Sequence, residues 1–338
     1  MVLPRPRGLI VIPKEHTTRS WLAKQQHATK HTAYHELLEA LAGEGCPVCL
    51  LSGRSVYRYL HTLAYENVTD LDIRLELRAR RGFCHAHTWQ FAEEVSDGLA
   101  TAIIYRDVIH SLLGEMEKRD GLPGPLRRLR RRPPDLLDRL RPRGECPACR
   151  VRASAVERHL GTLLAHLAEP ELRDRFLVSP GLCLPHLRQA LPTAPDADRA
   201  DTLRRPTLAQ QPPLLEGEGA GRPLSQREVE PQASDCPACR AQGEAELAAA
   251  RERPGAGLCL PHFALAWSQA AGAVRERQRE AQVEFYRAVR AELDEYIRKH
   301  DYRFSHESLA AEADSPRRAV AAVVGARSLD PPAWPPRG

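Results

Sequence analysis

Long apolar runs, aromatic residues and lysine are all scarce in this 338-residue chain. No stretch approaches the ~20 consecutive apolar residues that a bilayer-spanning helix needs, so the sequence reads as having no membrane span. Phe, Trp and Tyr make up only 5 %, and the apolar fraction of 42 % lies just below the usual globular range. With 28 prolines and a mean hydropathy of −0.45, part of the chain is expected not to pack. The basic residues are 44 Arg against 5 Lys, a bias that looks like GC-rich codon usage. Arginine abundance at a net charge of +5 therefore says little about nucleic acid. No alternating strand pattern occurs, and there is no P-loop, G-x-G-x-x-G, nucleophile elbow or H-E-x-x-H, which removes the commonest signatures of nucleotide, acyl-transfer and metalloprotease chemistry. The only early apolar run, Gly8 to Ile12, is hemmed by prolines and charges. It does not read as a signal peptide, so a cytoplasmic location is expected.

Cysteine is the residue that carries information. All nine fall into one pattern written three times. Cys46-Pro47-Val48-Cys49 is followed by Cys84-His85-Ala86-His87, Cys146-Pro147-Ala148-Cys149 by Cys183-Leu184-Pro185-His186, and Cys236-Pro237-Ala238-Cys239 by Cys259-Leu260-Pro261-His262. Each set reads C-P-x-C, a gap, then C-x-x-H, giving three thiolates and one imidazole. That is the donor set of a closed, tetrahedral Cys3His zinc site. Taken in sequence order, the twelve ligands predict three sites and three zinc ions.

The spacing suits the metal. Proline after the first cysteine fixes φ and gives up an amide that the first turn of a helix does not need. In C-x-x-H the two donors fall three residues apart, on one face of a helical turn. A helix N-terminus favours thiolate over thiol. Gly82, Gly181 and Gly257 each lie two residues before the third cysteine, where a bend is expected. The expected object is a helical unit whose two helix starts are clamped by one ion. Disulfides fit poorly with an odd cysteine count and a reducing compartment. Dithiol redox chemistry would leave the three C-x-x-H elements unexplained. An iron–sulfur cluster remains a less favoured alternative. Four protein ligands per site favour a structural over a catalytic ion.

The copies resemble one another beyond the ligands. A shift of one hundred positions superposes Cys46 on Cys146 and Cys49 on Cys149, and also Val56, Leu60 and Leu63 on Val156, Leu160 and Leu163. Copies two and three share CPACR and GLCLPH. The gap inside the pattern is 34, 33 and 19 residues, so the third unit lacks about one helix.

The apolar periodicities predict an all-α fold of three zinc-clamped units, with two long helices and disordered linkers. Residues 1–30 form an N-terminal extension, and 31–119 the first unit, opening on a short helix through Tyr34, Leu37, Leu38, Leu41 and Ala42. Its long helix follows the seam Ala92, Val95, Leu99, Ala102, Ile109, Leu113 and Met116. An Arg/Pro-rich linker spans 120–144, the second unit 145–191 and a Pro-rich linker 192–235. The third unit, 236–304, carries a helix expected to run unbroken from about Leu260 to Lys299, and 305–338 is a tail with a short helix opened by Ser315-Pro316.

His85 reads as a solvated or core-edge imidazole, and Trp89, Tyr105, Tyr286 and Tyr296 as core or interface aromatics. His27, His31 and His35 recur every four residues without an accompanying acid or thiol, which favours a polar face. Arg127, Arg128, Arg130, Arg131 and Arg132 form a basic run that can meet an acidic partner or nucleic acid.

The elements CPVC, RRGFCHAHTWQ, AIIYRD, GLCLPH and KHDYRFSHE followed by RRAV resemble an uncharacterised bacterial family with repeated C-P-x-C and G-[FL]-C-x-x-H elements and a closing D-Y-R-F segment. The likeness runs from about Leu37 to Gly325. It implies metal binding but no reaction, and Asp301 to Phe304 would dock the tail. The resulting expectation is a non-enzymatic zinc-binding scaffold or regulatory protein that engages a protein partner or its own twin. A nucleic-acid-associated protein using the basic run, and a thiol- or zinc-responsive switch, are the alternatives.

Overall fold

The computed structural model describes residues 32–118, 135–209, 257–309, 311–327 and 335. Among these every regular element is helical and none is a strand. No described helix is long and apolar enough to cross a membrane. In chain order the helices are α1 (32–40), α2 (Pro47–Tyr65), α3 (Leu71–Arg80), α4 (His85–Gln90), α5 (Leu99–Glu117), α6 (Leu136–Leu140), α7 (Pro147–His166), α8 (Pro170–Val178), α9 (Leu184–Ala190) and α10 (Ala197–Ala209), then α11 (Leu260–Gln269), α12 (Ala273–Lys299) and α13 (Ser315–Val324).

The chain divides into two compact units, and the division does not follow sequence order. One unit comprises residues 1–53 and 154–217, the other 54–153 and 218–338. The boundaries at 53/54 and 153/154 fall inside the long helices α2 and α7. The core of the first unit joins Leu37, Leu38, Leu41, Val48 and Leu51 to Val156, Leu160, Leu163, Phe176, Leu182 and Leu203. The Val56–Leu60–Leu63 seam of α2 instead enters the core of the second unit, with Leu77, Phe83 and Phe91.

Helix lengths explain this interleaving. The 19 residues of α2 extend about 28 Å at the α-helical rise, whereas the 10 residues of α3 return the chain by at most about 15 Å. The turn after α3 adds little reach. Arg81 and Gly82 are both left-handed, at φ 62° and 92°, and tie back to Arg78 O and Leu77 O. Helix α4 therefore starts in the unit that holds the second half of α2, where Phe83 shares a core with Val56, Leu60 and Leu63. The same holds for the 20-residue α7 and the 9-residue α8.

In the second unit α5 is the central element, with eleven of its side chains buried. One is a carboxylate. Asp107 is gripped by Arg78 through two contacts of 2.6 Å and by Arg74 at 3.1 Å. Burial pushes its carboxyl up, but the two guanidiniums more than offset this and hold it below its ordinary value. A carboxylate with a depressed folded pKa contributes stability above its unfolded value of about 4, and loses it as pH falls through the folded value. Asp107→Asn should cost about 2 kcal/mol at neutral pH, as expected for charge-assisted hydrogen bonds. The gap between wild type and variant, followed by urea titration, should shrink below about pH 4. A gap that persists unchanged to about pH 3 would contradict the assignment.

Four expectations are corrected here. The seam from Ala92 to Met116 is not one helix. A π-turn over Phe91–Val95 leads to a break at Gly98 (φ 93°), where Ser96 Oγ accepts from the amides of Gly98 and Thr101. A Cβ on Gly98 would lie 2.5 Å from Tyr296 Oη, so this bend lets α12 approach. The expected helix from Leu260 to Lys299 is also two, α11 and α12. Ala270 is extended and Gly272 left-handed at φ 52°, which ends the 3.6-residue path although the apolar period continues.

The segments expected as linkers carry helices α6 and α10. The former buries Leu136, Leu137 and Leu140, the latter Thr202, Leu203, Pro206 and Thr207. Proline and charge content hid short buried seams. Residues 120–134, including Arg127 to Arg132, and residues 210–235 lie outside the described residues, as do His27 and His31.

The tail is docked by α13 rather than by Asp301 to Phe304. Tyr302 is 85 % exposed, Asp301 accepts from the Arg303 amide, and Phe304 lies under the Arg298 guanidinium at 4.4 Å. Helix α13 buries Ala319, Val320, Val323 and Val324 instead.

Candidate metal centres

Every described cysteine of the pattern stands at a helix start. Cys84 and Cys183 are extended N-cap residues of α4 and α9, each followed three residues later by a histidine on the first turn. Cys46 and Cys146 immediately precede Pro47 and Pro147, the first residues of α2 and α7, which carry Cys49 and Cys149 on the first turn. The backbone N–H groups of these turns favour negative charge on sulfur.

The clusters are crossed. Cys46 and Cys49 do not meet Cys84 and His87. They meet Cys183 and His186 of the second copy, while Cys146 and Cys149 meet Cys84 and His87 of the first. Each cluster lies within one compact unit, and in each the four donor atoms lie within 4.8 Å of one another. In the first, Nδ1 of His186 is 3.4 Å from Cys46 Sγ, 3.4 Å from Cys49 Sγ and 3.2 Å from Cys183 Sγ, and Cys49 and Cys183 are 3.6 Å apart. In the second, Nδ1 of His87 is 3.2 Å from Cys84, 3.7 Å from Cys146 and 3.3 Å from Cys149, with Cys84 and Cys149 3.7 Å apart.

These edges fit one central ion. Bonds of about 2.3 Å to sulfur and about 2.0 Å to nitrogen in a tetrahedron give edges of about 3.8 Å for S···S and about 3.5 Å for S···N. A multi-iron cluster would spread its ligands beyond these edges. Crowding also shifts the protonation of the sulfurs. Burial, with Cys46 and Cys183 alongside, pushes the Cys49 thiol up to about 12. In the second cluster the hydrogen bond between Cys84 and Cys146 pulls Cys146 down and pushes Cys84 up. Three sulfurs this close share protons unless a cation neutralises them.

The two clusters differ in cover. All four residues of the first are half-buried, whereas His87 and Cys146 of the second are buried. Beside the second, His85 donates from Nε2 to the Ala326 carbonyl (2.8 Å) and Trp89 from Nε1 to that of Gly325 (3.3 Å). The extra imidazole of C-H-A-H thus holds the end of α13. Of the third set, Cys236 and Cys239 lie outside the described residues, while Cys259 Sγ and His262 Nδ1 stand 3.0 Å apart at the start of α11.

Residues 36–205, half of the chain and the whole of both clusters, match the family of unknown function DUF6062. The chain belongs to this family. It is also similar to an "Uncharacterized 23.9 kDa protein in xynA 3'region" of Caldicellulosiruptor sp. (strain Rt8B.4), 33 % identical over 75 residues. That match covers 22 % of this chain and 36 % of the relative's length. No solved structure matches the chain. DUF6062 membership adds no reaction to what the clusters imply.

Both clusters were recoverable from residue types, but their pairing was not recoverable from order. The usable signal was helix length. A 19-residue helical seam after C-P-V-C, followed by a 10-residue one, cannot easily bring Cys84 back to Cys46.

Proposed function

We propose that this DUF6062 protein is a non-enzymatic helical scaffold or regulatory protein, stapled by structural zinc and acting through a protein partner. The observation that carries the reading is closure: each cluster presents four protein donors at tetrahedral edge lengths, which leaves no position for a substrate or an activated water. Zinc is favoured over iron by the mixed set of three sulfurs and one nitrogen and by the room for a single ion. Zinc supplies charge neutralisation and a four-way crosslink, and the protein's part is to present three sulfurs and one Nδ1 from two helix starts. Binding rather than chemistry is also supported by Val178, Leu184 and Leu208, all more than half exposed on segments that flank Cys183.

Protein purified without added metal should contain three zinc ions per chain, the third at Cys236, Cys239, Cys259 and His262, and no disulfide. Elemental analysis with thiol titration reads both. Two ions would remove the third site. Iron with visible absorbance, or fewer than two ions, would overturn the zinc assignment. Partner capture that survives nuclease treatment fits the scaffold reading. Capture that nuclease abolishes would favour the basic run at Arg127 to Arg132 instead.

A further inference from the structure

The C-x-x-H halves share a frame that lies outside the ligand set. In each, the residue before the knuckle cysteine is buried: Phe83, Leu182 and Leu258 are all under 5 % exposed. The cysteine then adopts one N-cap conformation, with φ and ψ of −68° and 165° at Cys84, −64° and 156° at Cys183, and −65° and 155° at Cys259. The sulfur-to-Nδ1 distances are 3.2, 3.2 and 3.0 Å.

In two of the three, one polar side chain from a later helix grips both backbone groups of that buried residue. Thr207 Oγ1, on α10, accepts from Leu182 N (3.2 Å) and donates to Leu182 O (3.0 Å). On α12, Gln282 Oε1 accepts from Leu258 N (3.0 Å) while its Nε2 donates to Leu258 O (2.7 Å). In the first copy Tyr105, on α5, takes this place. Its hydroxyl bonds Thr88 Oγ1 at 2.7 Å, next to His87, and lies against Gly82.

The glycines of the pattern make room for these helices. A Cβ on Gly82 would lie 2.8 Å from Tyr105 Oη, and one on Gly181 2.9 Å from both Thr207 N and Oγ1. On Gly257 it would lie 2.0 Å from the ring of Phe285, one turn beyond Gln282. A threonine and a glutamine are chemically unlike, yet each grips the same backbone position, and the Tyr105 hydroxyl lies against the glycine one residue before it. Packing alone would not require a polar group there. Setting a buried amide and carbonyl so that the next residue can direct its sulfur does require one.

We propose that Tyr105, Thr207 and Gln282 are positioning residues that set the knuckle cysteines for zinc, and that Cys259 and His262, set by Gln282, form half of a metal site built like the other two. This rests on the zinc reading above and deepens it. None of the three belongs to a donor cluster.

The test is zinc affinity of the full chain, measured by competition with a chromophoric chelator, for wild type, Thr207→Val, Thr207→Ser and Gln282→Met. Thr207→Val keeps volume and loses both hydrogen bonds, so one zinc equivalent should weaken by roughly 10–100-fold, the usual effect of losing an outer-shell partner. The remaining equivalents should be unmoved. Thr207→Ser keeps both bonds and loses a methyl group, and should stay within a few-fold of wild type. Gln282→Met should weaken a different equivalent by a similar factor.

A packing role predicts the reverse order, with serine worse than valine, and that result would overturn the proposal. So would Thr207→Val binding zinc as wild type does, in which case the zinc reading stands and only the clamp falls. Wild type that holds two equivalents, neither sensitive to Gln282→Met, would overturn the third half-site. Wild type without zinc would overturn both the clamp and the reading beneath it.

Discussion

Cys146→Ser is expected to release one metal ion and to loosen helix α4 and the start of α7, while residues 170–209 remain protected. The expectation follows from the crossed clusters. Cys146 shares its cluster with Cys84, His87 and Cys149, all in the unit formed by residues 54–153 and 218–338. Structural zinc in small sites is worth about 10–16 kcal/mol of apparent binding free energy. That matches or exceeds the ~5–15 kcal/mol that stabilises a whole domain. Losing one of four donors also leaves two half-buried thiols and a buried imidazole packed without a cation.

The loss should be visible as faster amide exchange over Cys84–Gln90 and over the first turns of α7. Helices α8, α9 and α10 belong to the unit that holds Cys46, Cys49, Cys183 and His186, and should exchange as in wild type. Pairing in sequence order makes the opposite forecast, because it assigns Cys146 to Cys183 and His186. Deprotection of residues 170–191 with α4 unchanged would contradict the crossed arrangement.

Local chemistry was the legible part of this fold. C-P-x-C and C-x-x-H place donors at helix starts because proline tolerates the first turn and a three-residue step keeps two side chains on one face, and the described cysteines stand there. Trp89, Tyr105, Tyr286 and Tyr296 read as core or interface aromatics and are buried. The all-helical class was equally plain, since no alternating pattern competes with the 3.6-residue seams.

Non-local geometry was less legible, for identifiable reasons. Apolar period does not register a single left-handed residue, so the seams through Gly98 and Gly272 read as unbroken helices. Composition averaged over a window cannot show that Leu203 and Thr207 are buried, so α10 was hidden among prolines and charges. Order along the chain says which C-x-x-H comes next, not which one the helices can deliver. That last choice depends on the difference between about 28 Å of α2 and about 15 Å of α3. The clamp residues left no sequence signal, because Tyr105, Thr207 and Gln282 differ in type and stand at different offsets from their cysteines.

Two double variants test the crossed arrangement most directly, through zinc content per chain relative to wild type. Cys46→Ser with Cys183→Ser removes two donors from one cluster and should lose one ion. Cys46→Ser with Cys84→Ser removes one donor from each of two clusters and should lose two. The contrast is large, because the second pair withdraws a crosslink from both compact units and the first from only one. Pairing in sequence order reverses the outcome, with two ions lost from the Cys46/Cys183 variant and one from the Cys46/Cys84 variant. The crossed account predicts losses of one and two, in that order, and losses of two and one would contradict it.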